Sequence, residues 1–439
     1  MTEHSEAAAG ELGDLGLSVE ELSAAWIYLF GRYLVIRQEH TYLSEDGVDY
    51  NVLKHNPAVL AGLQLGQAPA FVNPNLDVVY SEAWIAVDEH TPAVLEVPAI
   101  PAGTYYTAQI VDEWAEITYN LNERTFPQQP HGTFALCLAG SDPELPDGAL
   151  RLDLPSRKAK LLARVQIGED LDAAVALQHG FSLRSAGSPQ IEPAIDIAMF
   201  IDRDPPGAAM FARPQLDQAL AAPDRSGHGE EFAPLLARIA AFVAAGPANA
   251  RAVDELVRTT IFPGFIHAML NLNDVGNGWH STGNRTGFGE DYRFRAIANF
   301  GGIWWNSATE VIYYPLQSDE TGKPPTGDHA YSIRFPPGQS PADHVDGYWS
   351  ITLYSHPDVR LVPNPEGKYS ISYRTELALD PDGGFTIHIA PEQPQGVPDG
   401  NWLPSTGPGK PWILVMRLYL PREDVLDGRW TPPPMTTET

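Results

Sequence analysis

Acid–base chemistry on a small molecule needs a carboxylate near aromatic surface, a cation to hold developing negative charge, and a hydroxyl to orient the substrate. Two stretches of this chain supply such residues. "NPNLDVVYSEAWIAV" sets Asp77 behind an Asn-Pro-Asn turn, at the head of a predicted strand carrying Tyr80 and Trp84. "DYRFRAIANFGGIWW" sets Arg293 and Arg295 ahead of Trp304 and Trp305, with Glu310 and Tyr313-Tyr314 just beyond. Taken as a catalytic set, Asp77 or Glu310 exchanges a proton, and Arg293 and Arg295 hold an anionic or carbonyl oxygen. Tyr314 then orients the substrate through its hydroxyl, while Tyr80, Trp304 and Trp305 contact it. The same residues serve equally well as ion pairs locking two β domains to helices, since a charge buried alone is costly. Arg374 and Arg417, inside predicted strands farther on, pose the same choice.

Other constellations are absent or weak. The chain has no G-x-S-x-G elbow, no H-E-x-x-H, no P-loop and no G-x-G-x-x-G after a strand, so no redox cofactor is indicated. "GFGEDY" is a glycine-flanked loop without the lysine that cradles phosphate. Asp328-His329 and Asp343-His344-x-Asp346 are the candidates for a divalent ion, but Pro and Gly surround them and solvated turns explain them more simply. No metal site is assigned, and the cofactor is left open. His267 and His388 sit among apolar residues and read as hydrogen-bonded core or cleft histidines. The single cysteine, Cys137 in "GTFALCLAG", excludes an internal disulfide framework and reads as a packed thiol in a buried strand.

These residues must be positioned by a large scaffold. At 439 residues the chain should form two or three packed units. Its formal net charge of -28, from 56 acidic and 28 basic residues, repels phosphate backbones and anionic lipid, so nucleic acid and membrane surfaces are not expected partners. The N-terminus lacks a basic start followed by an apolar run, and no stretch approaches the roughly 18 apolar residues of a spanning helix. A cytoplasmic location is the expectation.

Along the chain, residues 1–17 read as a mobile acidic leader. "SVEELSAAWIYLFGRYLVIRQEH" then opens with a capping box and repeats apolar residues at helical spacing, which predicts an N-terminal helix over 18–45. Residues 46–167 turn to short alternating runs punctuated by Pro, Gly, Asn and Asp, a first β domain. Residues 168–285 are Ala- and Leu-rich, with "IEPAIDIAMFI" among the runs read as helical. Residues 286–439 return to alternation. "WILVMRLYL" there is too continuous in apolar residues for a one-sided strand, so it is expected to be central, covered on both faces, and the closing strand of its domain. The predicted fold is α+β: an N-terminal helix and two antiparallel β-sandwiches joined by a helical middle region.

At these residues the chain resembles a known pair, the domain-of-unknown-function families 1254 (N-terminal) and 1214 (C-terminal). The C-terminal likeness rests on "GYWSITLYS", "LVPNPEGKYSIS", "DGGFTIHIA", "NWLPSTGPGKPWILVMRLYLP" and "VLDGRWTPPP". The N-terminal one rests on "NPNLDVVYSEAWIAV", "GTYYTAQIVDEW" and "GTFALCLAG". The resemblance implies two jelly-roll-like β domains around a helical region and defines no activity.

Two functions remain open. One is a small-molecule enzyme, a hydrolase, lyase or isomerase acting in an aromatic-lined cleft between domains. The other is a non-catalytic ligand-binding or oligomeric jelly-roll assembly. A small-molecule ligand is the expected partner in both, and exposed sheet edges suggest a homo-oligomer.

Overall fold

The computed structural model describes residues 16–61, 67, 73–185, 187–319 and 321–438, so the expected acidic leader lies almost wholly outside the described residues. Helix α1 spans Val19–Leu43, and its start is written locally. Ser18 accepts from the Glu21 backbone while the Glu21 side chain accepts from Ser18, which satisfies two otherwise free N–H groups. The helix is buried on nearly every side, because one flank joins a helical core and the other packs toward the first sheet. Gly31 permits this, since a Cβ there would stand 3.4 Å from the Ala296 backbone of a neighbouring helix.

The N-terminal β unit runs β1 (Lys54–His55), β2 (Val78–Ala86), β3 (Ala93–Val97), β4 (Tyr106–Val111), β5 (Ile117–Leu121), β6 (Gly132–Leu138), β7 (Leu150–Leu154), β8 (Lys158–Gln166) and, after helix α2 (Leu171–Gln178), β9 (Ser182–Ser185). The strands form two open sheets, ordered β1-β2-β8-β4-β5 and β7-β6-β3-β9. Alternation decides which side chains fill the space between them: Val79, Ala83 and Ile85 of β2 and Ala159, Leu161, Ala163 and Val165 of β8 meet Leu95, Phe134 and Leu136 in one apolar core. Cys137, fully buried, lies on β6.

The helical region holds α3 (Gln215–Ala221), α4 (His228–Ala244), α5 (Pro247–Leu256), a π-helical turn Val257–Ile261, α6 (Phe262–Leu270) and α7 (Tyr292–Gly302). "IEPAIDIAMFI" is not helical as expected; residues 191–200 are without regular structure. Pro193 holds Glu192 extended. The segment's carbonyls are also taken by side chains from elsewhere: Lys158 donates to Pro193, Arg37 to Phe200, and His40 contacts the Ile195 carbonyl. These three contacts compete with an internal ladder.

The C-terminal β unit comprises β10 (Val311–Leu316), β11 (Tyr331–Phe335), β12 (Trp349–Ser355), β13 (Ser370–Ser372), β14 (Phe385–Ala390), β15 (Trp402–Pro404), β16 (Trp412–Tyr419), helix α8 (Glu423–Leu426) and β17 (Met435–Thr437). Its sheets are ordered β10-β16-β12-β13 and β15-β14-β11-β17. Strand β16, the "WILVMRLYL" run, is internal and every residue of it is buried. It does not close the unit, however; β17 follows and pairs with β11 in the other sheet. Most pairings are antiparallel, but β6–β7 and β14–β15 are parallel. Several edge strands are only two to four residues long, which already blunts those edges.

Candidate functional site

Period two sorts each long strand into a core face and an outer face, and the two outer faces meet. In β8 the residues between the core positions are Lys158, Lys160, Leu162 and Arg164; in β2 they include Val78, Tyr80 and Trp84. In β16 they are Ile413, Val415, Arg417 and Tyr419, and in β10 they include Val311 and Tyr313. Val78 and Tyr105 from the first unit form one cluster with Val311, Tyr348 and Tyr419 from the second. A layer rich in tyrosine and arginine therefore lies between the β units. Both sides of β16 are covered for this reason, one by its own core and one by this layer.

Two arginines occupy facing walls. Arg164 donates to Gln109 Oε1 at 2.7 Å and to the Trp304 carbonyl at 2.9 Å, with its guanidinium 5.8 Å from the Tyr80 ring centre. Arg417 donates to Asn73 Oδ1 at 2.7 Å and to the Tyr354 hydroxyl at 2.9 Å. They are 5 % and 1 % exposed, and among the described residues neither has a carboxylate within ion-pairing distance. Their two clamps carry unusual backbone: Asn73 has φ of 50° and Trp304 of 60°. For a tryptophan the left-handed region costs about 1–2 kcal/mol, so the surrounding structure must impose it.

Two carboxylates flank the layer. Asp77, fully buried, accepts from Arg374 at 3.0 Å through Oδ1, while Oδ2 has no protein partner. Glu310, also fully buried, accepts from Arg124 at 2.9 Å and from Asn122 at 3.3 Å. Between them the rings form a chain: Tyr348 stacks on Tyr419 at 4.2 Å, and Tyr105 sits 4.9 Å from Tyr419 and 5.8 Å from Tyr348. Burial pushes the phenols of Tyr80, Tyr105, Tyr348 and Tyr419 upward, so each keeps its proton at neutral pH. The hydroxyls of Tyr105, Tyr348 and Ser350 have no protein partner. A cleft of about 530 Å³ on the C-terminal unit, lined among others by Pro336, Trp349, Leu377 and Phe385, also has Tyr348 and Tyr373 in its wall.

The residues singled out in sequence are distributed unevenly. Asp77, Tyr80 and Glu310 border the layer, and Trp304 joins it through the carbonyl that holds Arg164. Trp305 packs with Phe288 and Phe294 beside it, and its carbonyl accepts from Gln109 at 2.7 Å. Tyr314 does not face the layer: it shares parity with Ile312 and Leu316, points into the C-terminal core near Trp430, and burial pushes its phenol up to about 12. Its neighbour Tyr313 takes the outward position. Arg295 belongs to the helical core, paired with Asp224 at 3.0 Å and lying over Trp114 at 4.6 Å. Arg293 is exposed. The set expected to converge is thus divided among the layer, two cores and the surface. Arg124, Arg164 and Tyr348 were missed, although charges at Lys158, Lys160 and Arg164 in an otherwise apolar strand signal a buried polar face.

The remaining motifs have internal uses. The glycine-flanked loop binds an anion of its own chain: the Glu116 carboxylate accepts from the Phe288 and Gly289 backbones at 3.0 Å each. A Cβ on Gly287 would come within 2.3 Å of that carboxylate, hence the glycine. His344 hydrogen-bonds Asp424 at 2.6 Å and stacks on Trp430, Asp346 pairs with Arg422, and Asp328 accepts from Thr326 and Gly409. Among the described residues no three His, Cys, Asp or Glu side chains gather as metal ligands.

Comparison with known proteins bears on the fold alone. The VPA0106 protein from Vibrio parahaemolyticus, a crystal structure, is 19 % identical with a TM-score of 0.63, and the match covers 96 % of this chain and 100 % of that one, which shows a shared fold. An uncharacterized protein from Burkholderia cenocepacia is 12 % identical with a TM-score of 0.41, over 94 % of this chain and 86 % of that one. No curated protein matches the chain. Residues 51–185 match the model of a protein of unknown function, DUF1254, and residues 310–423 that of another, DUF1214. The N-terminal part of the chain is thus similar to the first of these families and the C-terminal part to the second.

Proposed function

We propose that the layer between the β units is the site of a small-molecule enzyme working by acid–base chemistry, of the hydrolase, lyase or isomerase kind. In this reading the two sheet pairs are jelly-roll-like sandwiches set outer face to outer face, with the substrate held where they meet. One observation carries it: Asp77 Oδ2 and the hydroxyls of Tyr105, Tyr348 and Ser350 are buried without protein partners, in one layer. Each such group costs about 1–3 kcal/mol, a cost that a bound substrate pairing with it would offset. Asp77 then exchanges the proton through its open oxygen. Glu310 is fully engaged by Arg124 and Asn122 and serves to orient them. Tyr105 and Tyr348, protonated at neutral pH, donate to substrate oxygen, and Tyr313 takes the orienting role that the sequence assigns to Tyr314.

The test is a turnover screen over small esters, lactones, hydroxy acids and β-keto acids, run beside native mass spectrometry of the purified protein. Asp77→Asn should retain the melting temperature within a few degrees and lose turnover. A carried ligand without turnover in either protein would point to the non-catalytic binding module. The absence of turnover together with the absence of any carried or captured small molecule would refute a site in this layer.

A further inference from the structure

The layer holds more positive charge than it neutralises. Arg374 is matched by Asp77, and Arg124 by Glu310, with Glu123 at the surface. Arg164 and Arg417 have neutral partners only: an amide, a carbonyl, a second amide and a phenol. Guanidinium does not lose its proton in proteins, so two full charges are buried here. They belong to one environment, since the phenols of Tyr80 and Tyr419 each lie in the field of both. The surplus runs against the molecule as a whole, which carries a formal charge of -28.

Hydrogen-bonding capacity is equally lopsided. The buried groups without protein partners in and beside the layer can nearly all donate: the hydroxyls of Tyr105, Tyr348 and Ser350, which can also accept, and the pure donors Trp305 Nε1 and Asn306 Nδ2. Asp77 Oδ2 is the one pure acceptor among them. Such an excess suits a guest that only accepts. The left-handed backbone at Asn73 and Trp304 is a third, separate observation. At Trp304 that conformation is strained, and it presents the carbonyl that holds Arg164.

Resting on the acid–base reading above, we infer that the molecule taken up between the β units is an oxyanion, a carboxylate or phosphate attached to an apolar or ring-bearing body, held between Arg164 and Arg417. Guanidinium forks match the two oxygens of such a group, and a low-dielectric layer strengthens the attraction. Tyr80, Tyr313 and the flanking indoles provide flat surface for the body.

The experiment uses the full chain and three probes: benzoate, its neutral counterpart benzamide, and inorganic phosphate, with binding followed by calorimetry at low ionic strength. Benzoate should bind at least about 10-fold more tightly than benzamide, the effect of one charge-assisted contact. Arg164→Gln and Arg417→Gln should each weaken benzoate by roughly 10- to 100-fold and leave benzamide within about 3-fold, while Arg417→Lys recovers part of the loss. Phosphate binding with the same arginine dependence would support the inference and identify phosphate as the preferred head group. Equal binding of benzoate and benzamide would overturn the anion assignment and leave the site itself standing. No binding of benzoate or phosphate up to about 10 mM would overturn it too, with turnover or a carried neutral ligand in the preceding test deciding separately whether the site survives. If neither glutamine variant folds, the wild-type comparison of benzoate with benzamide decides alone.

Discussion

Replacing Arg374 and replacing Asp77 should have opposite weight for stability, although the two residues form one ion pair. Asp77 is fully buried, and one of its oxygens already lacks a partner; Arg374 is about a third exposed, donating to Asp77 Oδ1 at 3.0 Å and to the Leu76 carbonyl at 3.1 Å. Arg374→Met leaves a carboxylate in the layer with no cation beside it, a change worth about 3–5 kcal/mol. Asp77→Asn removes one charge-assisted bond, a loss of about 1–2 kcal/mol beyond a neutral one, and replaces a buried charged oxygen without a partner by a neutral amide, a gain of about 1–3 kcal/mol. The two nearly cancel. At about 2 °C per kcal/mol for a long chain, Arg374→Met should lower the thermal midpoint by on the order of 6–10 °C and Asp77→Asn by less than about 3 °C. The double variant should regain most of the arginine loss. Differential scanning calorimetry on the wild type, both single variants and the double variant gives all these quantities. If Asp77→Asn costs as much as Arg374→Met, or if the double variant is merely the sum, the open oxygen is not the liability claimed for it.

Cys137→Ser should destabilise by about 1–2 kcal/mol and leave ligand binding unchanged, because a hydroxyl is poorly placed at a fully buried position; rapid labelling of the native thiol would contradict this. The buried phenols predict alkaline sensitivity: those of Tyr33 and Tyr314 are pushed up to about 12, and those of Tyr105, Tyr348 and Tyr419 well above 10. Their stabilising effect is complete below the unfolded value near 10 and is lost as pH rises through the folded values. Absorbance near 295 nm should therefore rise together with unfolding rather than before it, and a gradual titration of most tyrosines in the native state would contradict the burial.

Much of the scaffold was legible because its signals are local. The Ser18 capping box, the buried β6 strand around Cys137 and the doubly covered "WILVMRLYL" run each follow from spacing within a dozen residues. The site was harder, because it depends on which face of a strand a residue takes. Tyr313-Tyr314 offers one tyrosine to each face, and only parity with Ile312 and Leu316 shows that Tyr314 faces the core. Arg295 and Asp77 look alike in sequence, each a charge beside aromatics, yet Arg295 finds Asp224 within the helical core while Asp77 reaches the layer. "IEPAIDIAMFI" misled for a related reason. Its spacing is helical, but its carbonyls are claimed by Lys158, His40 and Arg37, which lie far away in the chain.

The layer between the β units joins residues from opposite ends of the polypeptide: Asn75 donates to the Tyr419 hydroxyl at 2.6 Å across 344 positions. During synthesis the first two sheets can be complete long before β16 leaves the ribosome. Until then the part of the outer face bearing Tyr80 and Arg164 stands in water, where its charge is easily hydrated. Dehydration of that face and construction of the site are a single late event, reserved for the finished polypeptide. A nascent chain, or a fragment ending before β10, could fold its first unit and would still have only half of the layer.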